Sequence, residues 1–453
     1  MSKLCMEKYL EILPPNYARI YKEGLLHNWN IEAGWKNLEI NTPLRVIDMT
    51  LRDGEQQPGV YFTPDQKLEI FKKMEQIGFF GGEIGFPAVS EDEKKACKLM
   101  YDENPKGLFF VMARAKKRDI DDVIDVGATA VDVITSSSDF HIQYKQKLDR
   151  ESNIEKYLEM VDYVVDHDLK LVFGREDCSR ADYKYMCQFI VKVKERAGNN
   201  FAGYALSDTV GAMTPPTVKW WLQTVSDELS KLGHPELKPL TIHCHNDLGL
   251  AVANSLASIE WGCSGVNGSM TGIGERAGNA ALEELIIILQ CLLGIDMNID
   301  LEEMFELAKL VSKYSGIPIP VNKPVIGANA FKHESGIHTA GQLAHSHVYE
   351  EIPHEWLGRQ SIYRYGKFSG TQLILKEALE PFGIRPNKKQ LYDLAMEVKR
   401  EQIRRGKEQF ENFVDTYNQI MEAMGMTIED VMDIAKKIGI NDEISEFQKV
   451  VIT

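Results

Sequence analysis

Eight short apolar runs, separated by longer helical patterns, constrain this chain more than any other feature. The runs are Arg45–Met49, Gly82–Gly85, Leu108–Ala113, Ala130–Thr135, Leu169–Phe173, Phe201–Leu206, Leu240–His245 and Gly265–Met270. Between them lie amphipathic stretches such as Asp65–Ile77, Ile154–Val165 and Pro216–Leu232. Alternating strand and helix patterns predict repeated βα units and therefore a parallel sheet. Eight such units close into a barrel, so the expected fold is α/β, a TIM (β/α)8 barrel with a C-terminal, mostly helical extension.

A barrel of this kind takes roughly 250 residues, and the chain has 453. The expected division is an N-terminal arm over 1–43, a catalytic barrel over 44–295, a post-barrel linker and subdomains over 296–383, and a helical region over 384–453. The arm carries Pro14-Pro15, Trp29 and Trp35, and the linker carries Pro318, Pro320 and Pro324. A net charge of −15 argues against nucleic-acid or membrane-surface binding, which want basic patches. Anionic substrates stay compatible, because a metal and a few arginines reverse the sign inside a pocket. The seven cysteines are odd in number and form no CxxC pair, as thiols in a reducing compartment would. No apolar run reaches the roughly 18 residues of a membrane span, and the N-terminus lacks a signal-peptide core. A cytoplasmic protein is expected.

Polar residues cluster where a barrel places its chemistry, at the C-terminal ends of the strands. Arg52 and Asp53 follow the first run, Glu83 lies in the second, Arg114 ends the third, and Ser136–His141 follow the fourth. Glu176 and Asp177 end the fifth, Asp208 and Thr209 the sixth, His243 and His245 the seventh, and Gly272–Asn279 follow the eighth. His243 and His245 are two apart, so on a strand they share one face. With Asp53 they form a ligand set for a divalent cation that leaves positions open for substrate. Asn279 is a weaker ligand candidate, since a Gly-Asn pair is often only a turn. Gly272-Ile-Gly-Glu-Arg-Ala-Gly278 lacks the spacing and the acidic partner of a dinucleotide site. Beside a cation, Arg52 is placed to stabilise an enolate oxygen. His338, in His-Glu-Ser-Gly-Ile-His, either fills the post-barrel block or reaches a barrel mouth as an acid or base.

The motifs LRDGEQ, GFP at Gly85–Pro87, SSSDFH, SDTVGAMTP, HCHNDLGLAVAN and GIGERAGNAALEE together resemble the 2-isopropylmalate/homocitrate/citramalate synthase family of the DRE-TIM metallolyase superfamily. HESGIH and GKFSGTQ resemble that family's post-barrel subdomains. The resemblance implies a metal-assisted Claisen condensation of acetyl-CoA with a 2-oxo acid, followed by thioester hydrolysis. It implies Asp53, His243 and His245 as metal ligands with Asn279 as a further contact, and Arg52 as the enolate support. Glu83, His141 and Thr209 would line the oxo-acid pocket, joined by Arg114. Glu176 and His338 would do acid/base work, with Tyr349 near the same site. The implied metal is Mn2+ or Mg2+, with Co2+ and Zn2+ also compatible. HESGIH would reach a neighbouring subunit, giving a homodimer with shared sites. The residues after Gly383 read as helices where relatives carry a feedback domain, so leucine-type regulation is not expected. Arg175, before Glu176, and the N-terminal arm resemble the citrate (Re)-synthases. The expected oxo acid is therefore oxaloacetate, its distal carboxylate read by Arg175, with homocitrate, 2-isopropylmalate and citramalate synthases as the alternatives. A lyase or aldolase on the same barrel is a more distant one.

Overall fold

Each of the eight apolar runs forms a strand, with ends within one or two residues of the expected ones. In a computed structural model, which describes residues 2–3, 6–31, 39–40 and 44–438, they are β1 (Arg45–Asp48), β2 (Gly81–Glu83), β3 (Leu108–Arg114) and β4 (Ala130–Ser136). β5 (Lys170–Phe173), β6 (Phe201–Asp208), β7 (Thr241–Cys244) and β8 (Gly265–Gly268) complete the set. Trp35 and residues 439–453 lie outside the described residues. All ladders are parallel, in the order β8-β1-β2-β3-β4-β5-β6-β7.

The strand pleat sorts the side chains into two layers. Val111, Val131, Val133, Leu171 and Phe173 join the core shared with the surrounding helices. Ile47, Met49, Phe110 and Val172 fill the barrel centre. The helices are α1 (Pro64–Ile77), α2 (Glu91–Asp102), α3 (Lys117–Asp125), α4 (Arg150–Asp166), α5 (Tyr183–Ala197), α6 (Pro215–Lys231), α7 (Ala251–Trp261) and α8 (Leu282–Leu293). α1 shows how local sequence sets such an element. Thr63 and Gln66 make a reciprocal capping box, Pro64 takes the first position, and Gly78 stops the helix at φ 98°. Its apolar face, Ile70, Phe71, Met74 and Ile77, is buried.

Closure between β7 and β8 is irregular. At the base, the amide of Ser264 donates to the Leu240 carbonyl. At the top, the segment after β8 folds back between the two strand ends. Ala280 donates to Cys244 O and Asn246 to Gly278 O on one side, and Ser269 donates to Ala280 O on the other. This wedge brings Asn279 opposite His245.

Beyond the barrel come α9 (Leu301–Ser315), the proline-containing linker, and a block with α10 (Gly336–Ala344) and a two-residue parallel pair, Lys332–His333 with Ile362–Tyr363. α11 (Lys388–Arg405), α12 (Glu408–Glu422) and α13 (Ile428–Lys437) follow, as the polar-faced helical pattern predicted. The described part of the N-terminal segment packs on α8 and the post-barrel block. Asn28 Nδ2 donates to Leu292 O, and Tyr17 sits edge-on to His347 at 4.5 Å. Among the described residues, no helix is long and apolar enough to cross a membrane.

Candidate active site

The first βα turn and the end of β7 meet at the barrel mouth. His243 is the penultimate residue of β7 and His245 lies just past the strand's end, yet the extended backbone keeps both rings on one face. Their Nε2 atoms are 3.2 Å apart, and they lie 3.2 and 3.7 Å from Asp53 Oδ2. Three donors at such separations form one triangular face around a cation bonded at roughly 2.0–2.2 Å, so the residues fit a divalent metal. Among the described residues, the buried Asn279 Oδ1 has no hydrogen-bond partner. A Cβ on Gly274 would lie 2.4 Å from Asn279 Nδ2 and 3.1 Å from Asp53 Oδ1, which places Asn279 beside the cluster and requires glycine there. His243 Nδ1 is held 2.9 Å from Asn267 Oδ1, so Nδ1 carries the proton and Nε2 faces the site as a lone pair.

Electrostatics keep the ligand set in its binding form. Burial alone would raise the Asp53 carboxyl, but the Arg52 guanidinium leads the effects that outweigh it and hold it well below the usual carboxylate range. Burial and the neighbouring His243 push His245 down to about 4, so it is neutral near pH 7. Arg52 Nε donates to Glu83 Oε2 at 2.6 Å, its Nη1 lies 3.3 Å from Asp53 Oδ2, and Nη1 donates to Gln56. Glu83 is fully buried behind Arg52 and outside the cavity lining, where the oxo-acid expectation had put it.

The cavity beside the metal cluster has a volume of about 180 Å3. Arg52, Asp53, Glu176, Thr209, His243 and His245 line it, over an apolar floor that includes Ile47, Met49, Phe110 and Val172. Thr209 Oγ1 accepts from the Asp177 amide at 2.8 Å. Glu176 is paired with Lys145, and His141 stands 3.6 Å from Asp177 and 3.9 Å from Glu176, beside the cavity.

Arg114 grips Asp119 through two nitrogens, at 2.6 and 3.2 Å, and borders a neighbouring cavity that shares Glu176 and Gln56 with the metal cavity. Arg175 borders the metal cavity itself, and two of its buried guanidinium nitrogens, Nε and Nη2, lack a hydrogen-bond partner among the described residues. Its guanidinium lies over Phe173 at 4.7 Å and Tyr204 at 5.8 Å, and donates to Met186 O of α5. Phe173 and Arg175 share one face of the strand, while Gly174 and Glu176 share the other. His338 and Tyr349 stack on each other with centroids 4.0 Å apart in the post-barrel block and do not line this chain's cavity.

Several residues escaped the motif reading. Asp132 is buried on β4, and its carboxylate accepts from the Gly174 amide at 2.9 Å. A Cβ at 174 would strike that carboxylate, so glycine is needed there. Burial, reinforced by Glu83, raises the Asp132 pKa well above the usual range. Asn267, Lys145 and Arg276 were also missed. The signal was present for Asp132 and Asn267, each a polar residue at an inward position of an apolar strand.

Comparison with known proteins agrees with this geometry. The HMGL-like family pattern matches residues 43–311, and the pattern described as homocitrate synthase post-HMGL domain-like matches 325–405. The chain is 37% identical to the 2-isopropylmalate synthase of Methanocaldococcus jannaschii over 383 residues, 84% of this chain and 71% of that protein. It is 36% identical to a homocitrate synthase of Methanopyrus kandleri over 364 residues, 80% and 89% of the two chains. Among solved structures, the hydroxymethylglutaryl-CoA lyase of Pseudomonas aeruginosa shares the fold, with TM-score 0.54 and 17% identity over 62% of this chain and 95% of that one.

Proposed function

This chain belongs to the HMGL-like family, and from that membership we propose that it condenses acetyl-CoA with a 2-oxo acid and releases CoA. The observation that carries the reading is the Asp53–His243–His245 cluster with Arg52 against it, at the base of a cavity sized for a small oxo acid. The match over 325–405 favours the synthases over lyases or aldolases on the same barrel, because it covers a second module with the sequence of synthase post-barrel domains.

A divalent cation held by Asp53, His243 and His245, with Asn279 alongside, would polarise the keto group of the 2-oxo acid. Mn2+ or Mg2+ suits a shell of histidine, carboxylate and substrate oxygens. Arg52, permanently charged and braced by Glu83, stabilises the enolate oxygen of the acetyl group as it forms. Glu176, paired with Lys145 and reaching the cavity, is placed to take the methyl proton. Thr209 and His141 position the oxo acid. The stacked His338 and Tyr349 are not part of the lining of their own barrel's cavity, and in this reading they complete the site of a second copy in a homodimer.

For the oxo acid, the relatives favour 2-isopropylmalate, homocitrate or citramalate formation over citrate, and the Arg175 guanidinium is engaged by Phe173, Tyr204 and Met186 O. The test is a thiol assay for CoA release with acetyl-CoA, Mn2+ and, in turn, pyruvate, 2-oxoisovalerate, 2-oxoglutarate and oxaloacetate. Turnover with one of the first three at the highest kcat/KM supports this assignment. Preference for oxaloacetate would restore the citrate reading. No CoA release with any of them would defeat the condensation. Mixing His338→Ala with His243→Ala subunits by co-expression tests the shared site: activity returns in mixed dimers if His338 serves its partner.

A further inference from the structure

The residues after 405 lie beyond both matched patterns, yet they return to the barrel mouth. The turn following α12 packs on the loop after β1: a Cβ on Gly59 would meet the Met424 side chain at 2.6 Å and the Gly425 amide at 3.2 Å. One turn or more back on α12, Tyr417 enters the lining of a second cavity, of about 450 Å3. Arg276 borders both this cavity and the metal cavity. Asn279, beside the metal ligands, borders the second one, and its buried Oδ1 has no partner among the described residues.

The chemistry of the lining narrows the ligand. Its charged groups are neutralised: Arg276 grips Asp247 at 2.8 and 3.0 Å, and Lys323 pairs with Glu284 at 2.6 Å. What remains is neutral. Gln57, Asn246, Asn279 and the Tyr417 phenol offer amide and hydroxyl groups, facing the apolar stretch from Ile317 to Pro320. A polyanion finds no free cation here, whereas a flexible chain of methylenes and amides finds both surfaces it needs. We propose that this cavity takes the pantetheine arm of the acyl-CoA cosubstrate, and that α12 supplies Tyr417 as one wall of it. The inference rests on the condensation reading and adds a residue from the C-terminal helices to the cosubstrate site.

The test uses the full-length protein. Titration calorimetry with CoA and with pantetheine, and steady-state kinetics with acetyl-CoA, are compared for wild type, Tyr417→Ala and Tyr417→Phe. Tyr417→Ala should weaken CoA and pantetheine about tenfold and raise the acetyl-CoA KM to match, with the oxo-acid KM within twofold. Tyr417→Phe should fall between, since the ring persists. Unchanged CoA affinity in Tyr417→Ala overturns the proposal, as does weakened CoA with unchanged pantetheine. Should Tyr417→Ala fail to fold by circular dichroism, Val252→Phe, which fills the cavity from the barrel side, carries the same expectations. A wild type that binds CoA but releases none from acetyl-CoA with any 2-oxo acid defeats the condensation, while the titrations still decide the cavity.

Discussion

Arg175 and Glu176 are neighbours in sequence and both border the metal cavity, on opposite faces of one strand. The Arg175 guanidinium lies over Phe173 and donates to Met186 O of α5, while Glu176 is paired with Lys145. Arg175→Ala therefore removes packing beneath α5. It should lower stability by about 2–4 kcal/mol, in the range for emptying a large buried site, with relative kcat/KM across the oxo-acid panel unchanged within about twofold. Thermal denaturation beside the panel assay decides. A normal Tm with an altered oxo-acid preference would make Arg175 a substrate contact instead.

The ligand cluster makes a graded prediction. His243→Ala and His245→Ala each delete a donor and should lose most bound metal and nearly all activity, while Asp53→Asn removes only the charge and should weaken binding less completely. Asn267→Ala leaves all donors in place but frees the His243 ring, so metal affinity should drop by about 10–100-fold. Elemental analysis after gel filtration, with a competition titration for Asn267→Ala, measures both. Full metal content in the double histidine variant would rule out the site.

Lys67, on α1, is fully buried and joins the loop bearing Arg52 and Asp53 to the first turn of α2. Its ammonium lies 2.6 Å from Glu55 and 2.5 Å from Glu93, and donates to Leu51 O at 2.9 Å. Lys67→Met would strand two largely buried carboxylates, at a cost of about 3–5 kcal/mol. Adding Glu93→Gln should recover part of that loss. Urea denaturation of the single and double variants tests this, and a Lys67→Met protein as stable as wild type would contradict it.

Asp48, at the end of β1, is buried and accepts from the Thr50 amide and hydroxyl at 2.7 and 2.8 Å. Burial dominates those bonds and pushes its carboxyl up to about 7. An unfolded aspartate titrates near 3.9. The native state therefore holds the proton more tightly, and the stability this contributes is full below about pH 4 and lost as pH rises through 7. Asp48→Asn removes that dependence. Its stability relative to wild type should climb by up to a few kcal/mol between pH 4 and 7. Denaturation at several pH values checks it, and a constant difference would refute it.

The barrel was legible in the sequence because its signal repeats eight times, and each βα unit must bury the same two faces. The metal ligands were legible because spacing two on a strand fixes a shared face whatever the rest of the fold does. The same alternation puts Arg175 and Glu176 on opposite faces of their strand, so the Arg175 guanidinium meets Phe173 two residues before it. Asn267 and Asp132 were harder, since one polar residue in an apolar strand has no meaning until the fold shows what stands across from it. Arg276 and Tyr417 were beyond reach: their placement depends on a folded-back loop and on a helix packed from far along the chain, which no local pattern encodes. The packing of the last helices onto Gly59 is of the same kind.

The wedge that closes β7 against β8 also delivers Asn279 to the metal ligands, so one set of hydrogen bonds serves two purposes. The amides of Asn246 and Ala280 bond across the seam within a few residues of His245 and Asn279. A cation that ties His245 on one side of the seam to Asp53 on the far side would thus act as a clasp on the cylinder. An ion at about a thousandfold over its Kd adds about 4 kcal/mol against any opening that releases it. With the ion stripped, the weakest line in the wall would be this seam. Hydrogen exchange at Asn246 and Ala280 would quicken with chelator while the β3–β4 ladder on the other side of the barrel kept its protection.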